Sequence, residues 1–423
     1  MSRFTLEGIA RSTTMALARI PGPGGGARSG ARSGELIMTP SDFGSLGDRA
    51  MIAALRSLIV ERDRNAPLIA SWIPDDRWSC EGRLHDPAHA PVRARDYFRW
   101  RRPTRALRRL FLIGADVLDG HYSVTRSIER LEFCGFCASR GVDVTITGFS
   151  YNDAAPPVVQ DALRRLPPAV RLCARDHRSR TRIERITGRP AVQVADLAFL
   201  LRPDADGPRA RPTLEWIERR RAEGAAVHAL CPNRLSAKLE AATFARGASG
   251  TMDPREAESA RAELVVDCLA QVVARVHHDE PNAAFVLLSH DTRGPLNDHA
   301  LCLRILERCA DRSILVVPAD ASPGEIKAIV GRCDGLLTGR MHCGIAALGA
   351  GTPAAFLDYQ GKVEGLLEFF DLDTAIALTT DTRAAAARGA ELLRGFRADA
   401  ATLRKRIAER LPAVLALSAA NVA

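Results

Sequence analysis

Short apolar runs alternate with longer segments of helical periodicity along most of the chain. ELIMTP (residues 35–40) and VDVTITGFS (142–150) are strand-like, and SVTRSIERLEFCGFCASRG (123–141) has its apolar residues at helical spacing before a terminal glycine. This alternation is typical of βα units that build a parallel sheet. Because it resumes after residue 212, we predict an α/β protein with two doubly wound Rossmann-like domains facing a cleft.

The periodicity is interrupted at LRPDADGPRARP (201–212), where proline, glycine and charged residues replace it. We therefore predict an N-terminal α/β domain over 35–205 and a C-terminal α/β domain with a helical tail over 206–423. The first 34 residues contain GPGGGARSGARSG and a single acidic residue, so we expect a flexible tail over 1–34. The interval from 74 to 103 is rich in proline and arginine and predicts little regular structure.

Charge and cysteine usage narrow the class of protein. The net charge of +9 is spread along the chain without a recognisable nucleic-acid-binding module, so it indicates solvated surfaces or an anionic small substrate.

The ten cysteines are scattered singly apart from the C-x-x-C at Cys134 and Cys137, which lies inside a helical pattern and indicates core packing. Reduced thiols are typical of a cytosolic protein. No run of eighteen apolar residues is present, which argues against a membrane span.

Polar residues follow the predicted strands, at the edge of the sheet where open α/β proteins bind ligands. These strand-end residues include Asp48, Asp116, His290, Arg340, His342 and Lys362. Arg340 and His342 begin a helix directly after GLLTG (335–339), where free backbone N–H groups and the helix dipole favour an anion. Lys362, one of only four lysines, begins the next helix in the same way. Arginine offers a planar fork and lysine a compact charge, so the arrangement predicts an anion site, although each residue alone also suits a structural role.

The same residues carry a family resemblance. TGRMHCGIAALGAGTPAAFLDYQGKVEGLLEFFDL (338–372) resembles the C-terminal signature of the polysaccharide pyruvyl transferase family, in which Arg-Leu-His precedes a small-residue helix and a lysine follows the next strand. SDFGSLGDRAMIAAL (41–55) resembles its glycine-aspartate loop, and LCARDHRSRTRIERITG (172–188) matches Arg-Asp-x-x-Ser. LLSHDTRGPLND (287–298) matches a strand-end histidine followed by an acidic helix start. Met341 replaces the usual leucine, and GSLGD lacks the asparagine often found before Gly-Asp.

The resemblance implies a fold similar to the GT-B glycosyltransferases. It also implies transfer of pyruvate from phosphoenolpyruvate to saccharide hydroxyls, with a ketal formed and phosphate released, in cell-surface polysaccharide biosynthesis. The implied donor-binding residues are Arg340, His342, Lys362 and His290. Of these, His342 would be the general acid and Lys362 would stabilise the departing phosphate. Asp48 and Asp116 would contact the acceptor, although an aspartate before a helix is more often a cap.

The expected partners are small molecules. No cluster of histidine, cysteine and acidic residues has metal-ligand spacing, so we expect no metal and no cofactor, with phosphoenolpyruvate as co-substrate. The acceptor would be a saccharide, free or lipid-linked. We expect the protein to act in the cytoplasm or at the inner membrane face, and to have no nucleic-acid partner. The oligomeric state stays open. Two alternatives remain: a GT-B-type nucleotide-sugar glycosyltransferase or epimerase, with a nucleotide diphosphate at the helix start, and a non-catalytic family member.

Overall fold

A computed structural model of the chain describes residues 32–40, 44–62, 68–69, 103–238, 253–295, 297–358 and 363–423. The chain divides into two compact units. The first unit comprises Met1–Phe43, Met51–Leu197 and Leu417–Ala423, and the second comprises Gly44–Ala50 and Ala198–Ala416. The predicted tail lies outside the described residues up to residue 31, and the first strand already begins at Gly34. The predicted irregular interval lies outside them up to residue 102.

The first unit is built on a six-stranded parallel sheet with the order β2-β1-β3-β4-β5-β6. Its strands are β1 (Gly34–Met38), β2 (Leu68–Ile69), β3 (Leu107–Ala115), β4 (Asp143–Phe149), β5 (Arg171–Ala174) and β6 (Val192–Gln193). The helices of this part of the chain are α1 (Leu46–Arg62), α2 (Val124–Ser139), α3 (Pro157–Arg164) and α4 (His177–Thr187). The strand order reverses beside β1, because β2 and β3 lie on opposite sides of it.

Local chemistry explains where the helices of the first unit begin and end. The side chain of Asp176 accepts a hydrogen bond from the backbone N–H of Ser179 and caps the start of α4, and Gly188 ends it at φ 67°. Ser123 caps α2 by accepting from the N–H of Arg126. Cys134 and Cys137 both lie on the buried face of α2 as free thiols. These caps are the signals that make the helix boundaries readable from sequence.

The second unit repeats the architecture, with the parallel strand order β12-β11-β10-β7-β8-β9. Its strands are β7 (Val227–Cys231), β8 (Ala284–Leu287), β9 (Ile314–Val316), β10 (Gly335–Thr338), β11 (Ala354–Asp358) and β12 (Ala375–Ala377). The helices are α5 (Ala210–Ala222), α6 (Pro254–Asp279), α7 (Asp298–Cys309), α8 (Pro323–Val330), α9 (Met341–Leu348), α10 (Glu364–Glu368), α11 (Thr382–Ala398) and α12 (Ala400–Ala419). Here the order reverses at β7, which lies between β10 and β8.

The central strands of the second sheet are covered on both faces. Every residue of β7, β8 and β10 is buried, as expected where helices pack on both sides of a parallel sheet. Each unit has its own apolar core. The predicted fold class, two doubly wound parallel-sheet α/β domains, is confirmed.

Two short segments pack away from the halves to which the sequence pattern assigned them. Residues 44–50, in the predicted N-terminal domain, belong to the second unit, because Leu46 N–H donates to the carbonyl of His290 (3.0 Å) and Gly44 O accepts from Thr292 N–H (3.0 Å). Leu417–Ala423, in the predicted C-terminal domain, belongs to the first unit, where Ser418 Oγ donates to the carbonyl of Asp196 (2.7 Å). Hydrogen bonds between residues far apart in the chain leave no periodic pattern in the sequence, so the sequence does not predict them. The assignment of acceptor and donor roles to the two halves stays a prediction.

Candidate functional site

Arg340 lies where β10 ends and α9 begins. It is the N-cap residue of α9, with extended backbone, and its N–H donates to Thr338 Oγ1 (2.8 Å). The preceding Gly339 is held on both sides, because its N–H donates to Cys231 O (2.9 Å) and its carbonyl accepts from Asn233 Nδ2 (2.9 Å). A Cβ on Gly339 would lie 2.8 Å from Cβ of Asn233, too close for any side chain. The backbone that presents Arg340 is therefore fixed by β7 and the turn that follows it.

The guanidinium of Arg340 is held by two aspartates. Nε and Nη2 donate to the Asp298 carboxylate at 3.0 and 2.8 Å, and Nη1 lies 3.3 Å from Asp291 Oδ2. The side chain of Asp298 is 0% exposed and that of Arg340 is 18% exposed. Burial disfavours the charge on Arg340, but the two carboxylates outweigh this cost and raise the pKa of the guanidinium. Arg340 therefore stays positively charged, and its guanidinium is already oriented by Asp298 and Asp291.

Asp291 links Arg340 to a second arginine. Arg293 Nε donates to Asp291 Oδ1 (2.9 Å) and Arg293 Nη2 donates to Asp291 Oδ2 (2.6 Å). Burial would raise the pKa of Asp291, but Arg293 and Arg340 lower it below its ordinary value, so the carboxylate stays ionised. Two guanidiniums and two carboxylates therefore form a balanced cluster of Asp298, Arg340, Asp291 and Arg293. Of these four residues, only Arg340 was a predicted site residue, although the acidic start of α7 belongs to the motif LLSHDTRGPLND.

His290 lies just beyond β8 and is 5% exposed. Its backbone N–H donates to Asp298 Oδ2 (3.1 Å), and its carbonyl accepts from Leu46 N–H. Burial, together with the neighbouring His342 and Arg340, lowers the pKa of His290 to about 3. At neutral pH this imidazole is uncharged, so it can donate or accept a hydrogen bond with a ligand without adding a positive charge.

The glycine-aspartate loop brings the start of α1 against His342. Ser45 and Asp291 form an antiparallel bridge, which places Gly47 beside the first turn of α9. A Cβ on Gly47 would lie 2.5 Å from Cγ of His342 and closer still to Nδ1, so only glycine leaves room for the imidazole. Asp48, the next residue, is 8% exposed, and its N–H donates to Ser45 Oγ (3.3 Å). The structure thus gathers Asp48, His290, Arg340 and His342 in the second unit.

Of the remaining predicted residues, the structure describes Asp116 but not Lys362. Asp116 follows β3 in the first unit, where its Oδ2 accepts a hydrogen bond from the hydroxyl of Tyr122 (3.1 Å). Lys362 lies outside the described residues. Within the described ranges no group of three or more histidine, cysteine or acidic residues could hold a metal ion. No helix within these ranges is long and apolar enough to cross a membrane.

The Arg-Asp-x-x-Ser motif forms a buried ion-pair network in the first unit. Arg175 Nη1 lies 2.9 Å from Asp196 Oδ2, with both side chains 2% exposed, and Arg175 Nε donates to Ser150 Oγ (2.8 Å). Burial would lower the pKa of Arg175, but Asp196, Asp116 and Asp176 raise it above its ordinary value. The motif therefore ties the end of β5 to the residues that follow β6.

Comparison with solved structures supports the architecture. The chain is similar to the UDP-GlcNAc 2-epimerase from Neisseria meningitidis bound to UDP-GlcNAc, with 9% sequence identity and a TM-score of 0.52 over 92% of this chain and 97% of that one. It is also similar to MnaA of S. aureus in a structure with UDP, with 9% identity and a TM-score of 0.53 over 89% of this chain and 91% of the other. At such identity the likeness shows the fold alone.

Comparison at the level of sequence gives the family. A search against curated proteins found no match. The family model described as polysaccharide pyruvyl transferase matches residues 46–361, a range that runs from the glycine-aspartate loop through Arg340 and His342 to the residue before Lys362. Since this match covers most of the chain, the protein belongs to the polysaccharide pyruvyl transferase family.

Proposed function

We propose that this transferase moves a pyruvyl group from phosphoenolpyruvate to two hydroxyls of a saccharide, in cell-surface polysaccharide biosynthesis. The observation that carries the proposal is the convergence of His342, His290, Arg340 and the Gly47–Asp48 loop at the reversal point of the second sheet. Ligands of open α/β proteins bind at such reversal points, beyond the carboxyl ends of the strands. Family membership supports the reaction class.

The reaction requires one proton on the donor carbon and a site for departing phosphate. A proton adds to the methylene carbon of the donor, and one saccharide hydroxyl oxygen bonds to the adjacent carbon. A second hydroxyl then displaces phosphate at that carbon, which closes the ketal; phosphate leaves with the electrons of its C–O bond, and the two hydroxyl protons pass to basic groups or solvent. We assign proton delivery to His342, stabilisation of the phosphate to Lys362, and contact with an acceptor hydroxyl to Asp48. Asp116 is the acceptor candidate in the first unit.

The charges of the site constrain how the donor would bind. The positive charges of Arg340 and Arg293 are balanced by the carboxylates of Asp298 and Asp291. The cluster therefore offers a ligand oriented N–H donors but little net positive charge. The neutral His290 adds hydrogen-bonding capacity without charge. The proposal therefore needs a further cation near the donor phosphate, and Lys362 is the residue that we assign to this role. The start of α9 adds backbone N–H groups that suit an anion.

We propose further that turnover needs no metal ion and no cofactor, and that the protein acts in the cytoplasm or at the inner membrane face on a saccharide or its lipid-linked form. Purified protein incubated with a chelator should retain pyruvyl transfer. Activity that disappears with the chelator and returns with one particular divalent ion would refute the metal-free mechanism.

The decisive experiment compares ligands and products directly. Titration calorimetry with phosphoenolpyruvate and with UDP-GlcNAc separates pyruvyl transfer from nucleotide-sugar chemistry, because only one of the two should bind. Incubation of phosphoenolpyruvate with a panel of saccharides, some of them lipid-linked, should add a pyruvyl mass increment to one acceptor and release phosphate. Donor binding without any product in single-turnover conditions would favour a non-catalytic family member.

Three substitutions test the roles within that assay. Arg340→Lys should weaken donor binding, because lysine cannot replace the forked contacts with Asp298. His342→Gln keeps a hydrogen bond but cannot act as an acid, so it should bind donor and fail in transfer. Lys362→Arg should bind donor within about tenfold and transfer roughly 30- to 1,000-fold more slowly. Unchanged transfer by both His342→Gln and Lys362→Arg would show that the motif is structural.

A further inference from the structure

Tyr122 stands out in the first unit because its ring is exposed. Tyr122 is 51% exposed. The other large apolar residues that are exposed within the described ranges are valines and a leucine. The hydroxyl of Tyr122 donates to Asp116 Oδ2 (3.1 Å), and its ring meets the edge of His121 at 5.1 Å and an interplanar angle of 85°. The hydrogen bond and the ring contact orient the exposed ring, which offers a flat apolar face to solvent.

The loop that carries Tyr122 is held in place by buried polar groups. Asp119 is 1% exposed, and its Oδ1 accepts from His121 N–H (3.0 Å). Ser127 Oγ accepts from Gly120 N–H (3.2 Å) and donates to Val117 O (2.8 Å). Gly120 adopts φ +82°, a conformation that other residues rarely reach. The ring is therefore presented by an ordered turn, which reduces the entropy that a ligand would have to overcome.

Backbone strain marks the residue before Asp116. Ala115, the last residue of β3, is 1% exposed and has φ +46°, in the left-handed region that costs a non-glycine residue about 1 kcal/mol or more. This turn places Asp116 beyond the carboxyl end of β3, beside the point where the strand order of the first sheet reverses. Strained residues concentrate at functional sites, and reversal points are where ligands bind.

We propose that Tyr122 and Asp116 form a saccharide subsite in which a pyranose ring of the acceptor stacks on the tyrosine and donates a hydroxyl hydrogen bond to the aspartate. One face of a pyranose is lined by C–H groups and matches an aromatic ring, while its edge carries hydroxyl donors. An ionised carboxylate has roughly four acceptor positions, so Asp116 can accept a saccharide hydroxyl beside the hydroxyl of Tyr122. The inference rests on the proposed function and deepens it, since it gives the acceptor a first contact surface.

The test measures saccharide binding separately from donor binding. The probes are the methyl pyranosides of glucose, galactose, mannose and N-acetylglucosamine, observed by saturation-transfer NMR, and phosphoenolpyruvate, measured by calorimetry. Wild-type protein should bind at least one pyranoside, Tyr122→Ala should lower that affinity roughly tenfold or more, and Tyr122→Phe, which keeps the ring, should stay within about threefold. Val192→Ala, at a position 37% exposed on β6, is the control and should bind as wild type does.

The outcomes separate this inference from the proposed function. Equal pyranoside affinity in wild type and Tyr122→Ala overturns the subsite, as does the absence of binding of every pyranoside to wild type. All variants should bind phosphoenolpyruvate as wild type does, because the substitutions lie in the first unit. Failure of wild type to bind phosphoenolpyruvate would instead contradict the proposed donor, while pyranoside binding that depends on Tyr122 would still support the subsite.

Discussion

Replacing Gly47 with alanine should damage catalysis while leaving the fold intact. Gly47 lies in the first turn of α1, and its backbone is not in the left-handed region. The new Cβ would lie 2.5 Å from Cγ and 2.8 Å from Cβ of His342, where ordinary contact begins at 3.4 Å. The imidazole must therefore retreat by about 1 Å or more, or turn to another rotamer.

The expected magnitude follows from that displacement. A misplacement of about 1 Å in a catalytic group costs on the order of 100-fold in rate. Alanine in a helix is more favourable than glycine by about 0.5–1 kcal/mol, which offsets part of the cost of moving the histidine. Gly47→Ala should thus lower pyruvyl transfer about 100-fold and change the free energy of unfolding by about 1 kcal/mol or less.

A matched variant controls for the glycine-to-alanine change itself. Gly395 lies within α11, and a Cβ there would meet nothing within 4 Å. Gly395→Ala should therefore raise the urea midpoint slightly and leave turnover unchanged. Initial rates of phosphate release with saturating donor, together with urea melts, compare the two variants. Wild-type turnover by Gly47→Ala, at an unchanged urea midpoint, would refute the assignment of His342 as a closely packed catalytic group.

Three further predictions concern buried ionisable groups. Asp298→Asn should lower the free energy of unfolding by about 3 kcal/mol in urea melts and weaken phosphoenolpyruvate binding, because Arg340 loses its buried carboxylate; an unchanged midpoint and affinity would contradict this. Burial lowers the pKa of His228 from 6.5 to about 4. Between these two pH values the unfolded state therefore binds more protons than the folded state. The contribution of His228 to the free energy of unfolding is complete above pH 6.5 and falls by about 2 kcal/mol by pH 5. His228→Leu should make the urea midpoint less sensitive to acid over that range, and an unaltered pH profile would disprove the linkage. Lys327→Met should cost about 2 kcal/mol, since Nζ donates at 2.8 Å to two backbone carbonyls that would lose their donor; a midpoint equal to wild type would show that water replaces it.

The sequence alone determined the repeated βα architecture and part of the candidate site. Alternation of short apolar runs with helical periodicity predicts parallel sheets, because a strand buried on both faces and an amphipathic helix have different periods. Arg340 and His342 were identifiable because the end of β10 and the start of α9 are adjacent in the chain. Lys362 was named by the same logic, and since it lies outside the described residues its role stays a prediction.

Which of these residues meet, and which groups hold them, depends on how the whole chain folds. Arg340 can pair with Asp298 because β10, β7 and β8 are parallel neighbours, so the segments that follow β10 and β8 emerge at the same edge of the sheet. The contact of Gly47 with His342 joins residues almost three hundred positions apart in the chain. Periodicity reports the environment of each segment but not its neighbours, which depend on strand order and long-range packing. For that reason the balanced charge of the cluster, the neutral state of His290 and the exposed ring of Tyr122 became visible only in the folded chain.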